Sequence, residues 1–479
     1  MQKNFFYYLL PSIGMGIIGA FVMVPITTYY LTPKDFGIFA VLNAITMPIG
    51  PLASTGIAWV LAGNFYKIDD KERRVLFFNL LLLDFVLKIF WVLVFWLSAP
   101  LLLPVIIKEF EIKHVLYFKL ILVSILLTTF WPSISCLIVF QQKGKVYAFL
   151  EFSQWAFGAL TTIICLVLFK LSTITLFLSP IAAGLFSFIA GLWYIRNYII
   201  PKISRKWSRE VFVVGIPSMP YNLLEMVTNV TDRYFIQKWI NLPQLGIYSH
   251  SLNYKNIFAM AIKAFSRTFG LQLTEIFSKD LDRKSFNIKL RKWYGLLGII
   301  GIFVTLFSYE VINILTHGKF VAAAPLVPLW FLFHLFSTYG MPYTQFLLVN
   351  KKNAFMMYSG IITNVSFIGV TAISIYYFGI IGAAVAIVLL NFVIQSSRLI
   401  YARKLGCDKF AGKEFLFILA LLLGTYVANT LIKFDLMGKI FGYLVISFLI
   451  VEYYGLFGVF MSIRKKIFID ILALKEKGQ

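Results

Sequence analysis

The sequence is poor in the groups that do chemistry. Only 14% of its residues are charged, and among 479 there are 21 Asp and Glu, four His and three Cys. Cys136 and Cys165 lie in apolar runs and Cys407 in a basic connection, so neither a disulfide framework nor a metal site is indicated. Also missing is a short apolar segment followed by a small-residue cleavage site at the N-terminus. Instead, Met1–Leu10 leads into a full-length apolar span containing Pro11 and Pro25, which reads as a retained first helix.

What is abundant is apolar length. Sixty per cent of the residues are hydrophobic, more than one soluble core of this size can hide. Apolar runs of about 20 residues, enough to cross roughly 30 Å of hydrocarbon, recur from end to end. The spans fall at about 8–30, 36–62, 75–97, 115–139, 147–169, 176–195, 211–236, 247–272, 293–315, 325–349, 355–377, 381–400, 414–432 and 440–461. The fold class expected is an all-α polytopic membrane protein of about fourteen transmembrane helices.

The formal charge of +23 would point to nucleic acid in a soluble protein. Here it follows the positive-inside pattern. Of the 44 Lys and Arg, thirty fall in one set of alternate connections, eight in the other set and six within spans. The bias holds loop after loop and puts both termini in the cytoplasm. No outward connection exceeds about 20 residues, the longest being around Ala99–His114, which leaves no room for an outer catalytic or binding domain. The linker from Arg196 to Glu210 carries five basic residues and Pro201 and reads as the boundary between two halves.

An internal repeat accompanies that boundary. Leu31-Thr-Pro-Lys-Asp-Phe-Gly-Ile-Phe39 follows the first span and Leu242-Pro-Gln-Leu-Gly-Ile-Tyr248 the seventh. Pro and Gly make a tight turn into the next span in both, and both preceding helices begin near a Pro-Ser pair, Pro11-Ser12 and Pro217-Ser218. A short hairpin would select Pro and Gly in any case, so chance is the alternative. If the repeat is real, its period is six helices. An even period makes the halves parallel repeats, two six-helix lobes around a central cavity. The organisation expected is a lobe at 1–196, a basic cytoplasmic linker at 197–210, a second lobe at 211–404, and two additional helices with a basic tail at 405–479. Pro48, Gly50 and Pro51 break the second span, and Pro11, Pro25, Pro217 and Pro220 kink the first and seventh.

Ionisable residues at membrane depth are costly unless they face a partner or water, so each is a site candidate. On the seventh span Asn222, Glu225, Asn229 and Asp232 fall within an arc of roughly 80°, with Arg233 adjoining. On the eighth, Lys255, Lys263 and Arg267 drift by about 120° in all. Glu225 would lie at a depth between Lys255 and Lys263. Two readings stand: a hydrophilic, net-basic wall for an anionic substrate, or an ion-pair network that locks two helices together. Asp84 and Lys88 on the third span form an i,i+4 pair that can neutralise itself or serve gating or ion coupling. Lys119, Glu151, Arg196 and Glu275 lie near predicted helix ends and can snorkel to the interface. Glu310, His317 and His334 are scattered, and Glu452 is isolated.

Four stretches carry a family resemblance: Leu31-Thr-Pro-Lys-Asp-Phe-Gly37; Thr231-Asp-Arg-Tyr-Phe235 with Leu245-Gly-Ile-Tyr-Ser249; His317-Gly-Lys-Phe-Val-Ala-Ala-Ala-Pro325; and Tyr377-Phe-Gly-Ile-Ile-Gly-Ala-Ala-Val-Ala386. In this order they resemble the polysaccharide-exporter branch, the Wzx-type O-antigen and capsule flippases, of the multidrug/oligosaccharidyl-lipid/polysaccharide (MOP) flippase superfamily. The resemblance covers nearly the whole chain. It implies two lobes around a cationic cavity, through which an undecaprenyl-diphosphate-linked repeat unit passes to the outer leaflet by alternating access. The family's Asp-Arg motif maps to Asp232 and Arg233. The chain departs at Tyr29, where many members carry Arg, and at Gly63, where they carry a basic residue, so cavity charge rests more on the eighth span.

The function expected is therefore a non-enzymatic flippase of lipid-linked oligosaccharide in the bacterial cytoplasmic membrane. No cofactor is expected beyond coupling to a proton or sodium gradient. The expected partners are the polyprenyl-diphosphate-linked oligosaccharide, the bilayer and other polysaccharide assembly proteins, and not nucleic acid. Rival readings are a cation-coupled multidrug exporter, which would favour an acidic cavity, and a lipid II flippase, which fourteen helices suit. A membrane-embedded polymerase, ligase or glycosyltransferase would need a sizeable outward loop, and a channel would need a filter motif.

Overall fold

The computed structural model describes residues 11, 14–16, 18–53, 60–61, 64–65, 68–211, 219–279, 283–432 and 434–457. Within helices, residues 219–222, 225, 229, 261, 263–268, 271 and 353 are described by their backbone alone. The described residues contain helices and turns and no strand.

α1 (Gly14–Tyr30) carries a π-helical turn at Gly19–Met23. Around Pro25 the Thr27 and Thr28 hydroxyls donate to the Met23 and Val24 carbonyls at 2.7 and 2.8 Å, the usual way to keep backbone acceptors satisfied near a proline in lipid. α2 (Pro33–Leu52) starts on a capping box. Thr32 accepts from the Asp35 amide, the Asp35 carboxylate accepts from the Thr32 amide at 2.8 Å, and Pro33 fills the first helical position. The break expected in the second span is a turn at Met47–Pro48.

α3 (Asp70–Ile106), α4 (Lys113–Phe140), α5 (Gly144–Leu168) and α6 (Thr175–Ile195) follow. A short helix, α7 (Arg205–Glu210), leads to α8 (Met219–Trp239) and α9 (Leu242–Lys279). These two are the seventh and eighth expected spans. Then come α10 (Lys284–Thr316), α11 (Val321–Val349) and α12 (Asn353–Lys404). The last two are α13 (Gly412–Ile432) and α14 (Leu436–Tyr453). Pro217 and Ser218 of the expected repeat lie outside the described residues.

α12 runs for 52 residues, but Gly379 at φ 59° and ψ −141° divides it. Side chains other than hydrogen do not fit that backbone conformation. The two arms are the helices expected at 355–377 and 381–400.

Among the described residues ten helices are long and apolar enough to cross a membrane, with α12 counted once. Rows such as Leu97, Leu101 and Val105 on α3, or Met437, Phe441 and Phe448 on α14, are exposed and are stable only against lipid. The protein is an all-α, multi-pass membrane protein. α8 and α9 have the length but are too polar to join the ten.

Packing divides the chain into two compact units. The first comprises Met1–Met260, Asn313–Ala323 and Gly360–Ile387, and the second Ala261–Ile312, Ala324–Ser359 and Val388–Gln479. In the first unit α6 packs along α5 and α4, and α2 packs on α4 and α8. A core of Phe77, Leu80, Ile134, Leu137 and Ile195 takes in Trp207 of α7. Buried Asn79 clamps the linker, donating to Lys202 O at 2.8 Å and accepting from the Ser204 amide at 2.9 Å. The basic linker is therefore tied down. In the second unit Tyr339 stacks on Phe415 with centroids 4.0 Å apart, and Lys439 of α14 reaches Glu310 of α10 at 2.6 Å.

Candidate functional site: the hairpin of α8 and α9

α8 reverses into α9 through Ile240 and Asn241. The Asn241 side chain accepts from the Gln244 amide at 2.8 Å, so it caps the new helix, and Pro243 tolerates the first turn because no amide is needed there. This turn crosses the first turn of α2. A Cβ on Gly37 would overlap the Leu242 carbonyl, and a Cβ on Gly246 would overlap the Pro33 carbonyl. Each glycine thus rests on the carbonyl four positions before the other. The repeated Pro/Leu-x-x-x-Gly stretch becomes a reciprocal contact, and only glycine allows so close an approach.

Other groups thicken this crossing. Gln237, buried at the end of α8, donates to Ile106 O at 2.6 Å and accepts from the Lys108 amide at 3.3 Å. The rings of His250 and Phe320 lie 4.5 Å apart, with Phe36 beside both. Lys319 donates to Tyr29 O at 2.5 Å and Leu31 O at 3.4 Å, which sets a cation at the carbonyl end of α1. Tyr29 carries no charge, so the cation at this helix end comes from α10's far side in sequence.

About 10 Å along α8 from the turn, buried Asp232 accepts from the Tyr248 hydroxyl and from the Arg233 amide, the latter at 2.7 Å. The Arg233 guanidinium reaches across to α2, where one nitrogen is 3.1 Å from the Met47 sulfur. Lys255, seven residues beyond Tyr248 and so on nearly the same face, is half-buried and within electrostatic reach of Asp232 and Arg233. The Asp232–Tyr248 bond sets the register of the antiparallel pair. It brings the backbone of Glu225 about level with that of Lys255, rather than between Lys255 and Lys263.

The structure therefore brings Asp232, Arg233 and Lys255 together. The side chains of Asn222, Glu225, Asn229, Lys263 and Arg267 lie outside the described set. Asp84 and Lys88 pair on α3 at 3.0 Å, away from this hairpin in sequence, and Lys88 also donates to Thr129 O at 3.0 Å. Sequence reasoning missed Tyr248, Gln237 and Lys319. None has a local signal, because each partner belongs to a different helix or turn. It also misjudged Glu151, which accepts from Trp131 Nε1 at 3.0 Å rather than snorkelling outward. Among the described residues no group of three His, Cys, Asp or Glu could hold a metal ion. What the described hairpin holds together is one buried carboxylate with two bases near it, at the depth of apolar spans.

Comparison with known proteins agrees with this architecture. The chain is 24% identical over 333 residues to the capsular polysaccharide biosynthesis protein CapF of Staphylococcus aureus, covering 67% of this chain and 78% of that protein. Its fold is similar to the lipid II flippase MurJ in an inward closed conformation, with a TM-score of 0.67 at 14% identity over 96% of this chain and 99% of the other. It is also similar to a multidrug resistance MATE family transporter of the MOP superfamily in an inward-facing conformation. There the TM-score is 0.64 at 13% identity, over 83% of this chain and 97% of the other. A family model described as polysaccharide biosynthesis protein matches residues 28–325. The chain belongs to this polysaccharide biosynthesis protein family, and its fold is similar to that of MOP-superfamily transporters.

Proposed function

We propose that the chain is a flippase for undecaprenyl-diphosphate-linked oligosaccharide repeat units. It carries them from the inner to the outer leaflet of the bacterial cytoplasmic membrane by alternating access. The observation that carries this reading is the character of α8 and α9. Among the described long helices these two are the polar ones, and Asp232, Arg233 and Lys255 gather between them. A diphosphate is the anion such a wall fits, and the sequence carries two further bases on α9, Lys263 and Arg267. The Staphylococcus relative, named for capsular polysaccharide, favours a capsule unit over an O-antigen unit.

In this proposal the ten apolar helices, the second arm of α12, α1, α8 and α9 make fourteen crossings with both termini in the cytoplasm. The moving bodies are the lobes 1–196 and 211–404, and the crossing at Gly37 and Gly246 is their outer seal. The last two helices suit the likeness to MurJ, which takes in 96% of this chain where the MATE likeness takes in 83%. That difference also favours one second reading, a lipid II flippase.

The test is a deletion strain complemented with Lys263→Ala/Arg267→Ala. Deletion is expected to accumulate lipid-linked sugar in the cytoplasmic leaflet. The double variant is expected to insert at normal abundance and to reduce surface polysaccharide at least tenfold. Unchanged surface glycan removes these bases from the path, and rescue of a strain depleted of its lipid II flippase favours the second reading.

A further inference from the structure

The second unit holds a cavity of about 590 Å³ bounded by α10, α11, α13 and the connection that leads into α13, a size that suits a small ligand. Its charged lining consists of Arg291 on α10, Lys409 in the connection, and Lys413 and Glu414 at the start of α13. Three bases thus meet one acid. Neither lysine makes an ion pair or hydrogen bond among the described residues. Asp408, beside Lys409, is bound to Arg283 and is engaged elsewhere. Arg291 is pinned by α14: it donates to Tyr453 O at 2.8 Å and lies over the rings of Tyr453 and Tyr454. It too pairs with no carboxylate among the described residues.

The usual loop bias accounts for solvated lysines, and it does not account for a cavity between them. α13 has 21 residues, about 31 Å, which is close to the hydrocarbon thickness. Lys413 in its first turn therefore stands at the level where the phosphates of a leaflet lie. Ile288 and Leu416 also line the cavity and are 58% and 61% exposed, so charged and apolar surface meet at its mouth. A soluble phosphate leaves that apolar rim uncovered, whereas a phospholipid brings acyl chains to it. Two buried atoms without hydrogen-bond partners among the described residues narrow the head group: Arg291 Nε is a donor, and Asn287 Oδ1, one turn earlier on the same face, is an acceptor. A phosphate oxygen answers the first and a glycerol hydroxyl the second.

We infer that this cavity binds the phosphoglycerol head of an anionic phospholipid, held by Arg291, Lys409 and Lys413, with the acyl chains along Ile288 and Leu416. No covalent bond is made or broken. The site does not depend on what the transporter carries, and so it does not rest on the flippase reading above.

The full chain in detergent, with no sugar lipid present, is titrated with phosphatidylglycerol and the bound lipid counted by native mass spectrometry. The expected result is one phosphatidylglycerol bound more tightly than phosphatidylethanolamine. Lys409→Gln/Lys413→Gln is expected to weaken it by about tenfold or more, and Glu414→Gln, which removes the acid, to tighten it. Lys404→Gln, a base at the end of α12 that does not line the cavity, is expected to change nothing. Phosphatidylethanolamine bound equally well, or unchanged binding in the double variant, overturns the inference. An equal loss in Lys404→Gln overturns it too, because the attraction would then belong to the basic surface as a whole. Displacement by excess inorganic phosphate makes the occupant a free anion, and displacement by undecaprenyl diphosphate makes the cavity part of the cargo path; either result sinks the phospholipid site. If the double variant fails to accumulate, Glu414→Gln decides. Failure of the flippase reading leaves these measurements untouched.

Discussion

Asp84 and Asp232 are both carboxylates buried at membrane depth, at 6% and 3% exposure, and they are satisfied in contrasting ways. Asp84 meets the ammonium of Lys88 one turn along its own helix, and the same ammonium caps Thr129 O on α4. Charge is cancelled where it arises. Asp232 is met by neutral donors, the Tyr248 hydroxyl and the Arg233 amide. The Arg233 guanidinium goes to Met47 instead, and Lys255 stands farther along α9. The same residue types thus build a salt-bridged pair on α3 and, between α8 and α9, a hydrogen-bonded carboxylate with two bases near it. An ion pair closed on itself is weak evidence for function.

Removing one side of each arrangement should separate them most. Asp84→Ala leaves the Lys88 ammonium buried without its carboxylate, and breaking such a pair costs about 3–5 kcal/mol. Asp232→Asn keeps an oxygen to accept from Tyr248, so its loss should stay near 1 kcal/mol. Thermal unfolding of the purified full chain in detergent measures both. Equal losses would mean that Asp232 is held by charge after all.

Next in size is Tyr248→Phe, which takes one neutral donor from buried Asp232. A buried acceptor stripped of its donor costs about 1–3 kcal/mol. Because that bond joins α8 to α9, the loss should be local. Amide hydrogen exchange is expected to rise along the hairpin while α3 to α6 are unchanged. Exchange that rises throughout the first unit would show that the bond supports the whole unit and not the hairpin alone.

How far the sequence could be read follows from what kind of fact each feature is. Apolar length is one-dimensional, and the bilayer demands it of each span separately, so α3 to α6, α10, α11, α13 and α14 lie where hydropathy puts them. The boundaries differ because a helix need not stop at the membrane: the span expected at 75–97 is part of a helix running Asp70–Ile106. The turn repeat was also legible, since Pro and Gly are needed for reasons local to the chain. That the two copies touch was not, because Gly37 and Gly246 are brought together only by the fold. The same holds for Glu310 with Lys439 and for Asn79 with the linker. Glu151 was misread because distance from a helix end says how far a side chain could reach and nothing of what lies beside it.

The smallest effect is expected where the whole closed pair is removed. Asp84→Leu with Lys88→Leu leaves no charge without a partner and keeps side chains of similar volume, and such replacements are often neutral or stabilising. What is lost is the Lys88 bond to Thr129 O, a neutral carbonyl in the turn at 128–130 of α4. The unfolding midpoint should therefore move by less than about 1 kcal/mol equivalent, against the large drop in Asp84→Ala. Surface polysaccharide in a complemented deletion strain then separates the two roles open to the pair. Export at wild-type level with unchanged stability makes Asp84 and Lys88 a lock between α3 and α4. Export lost at unchanged stability makes them part of gating or ion coupling, and the contrast with Asp232 would then lie in which ion each carboxylate serves rather than in whether it serves one.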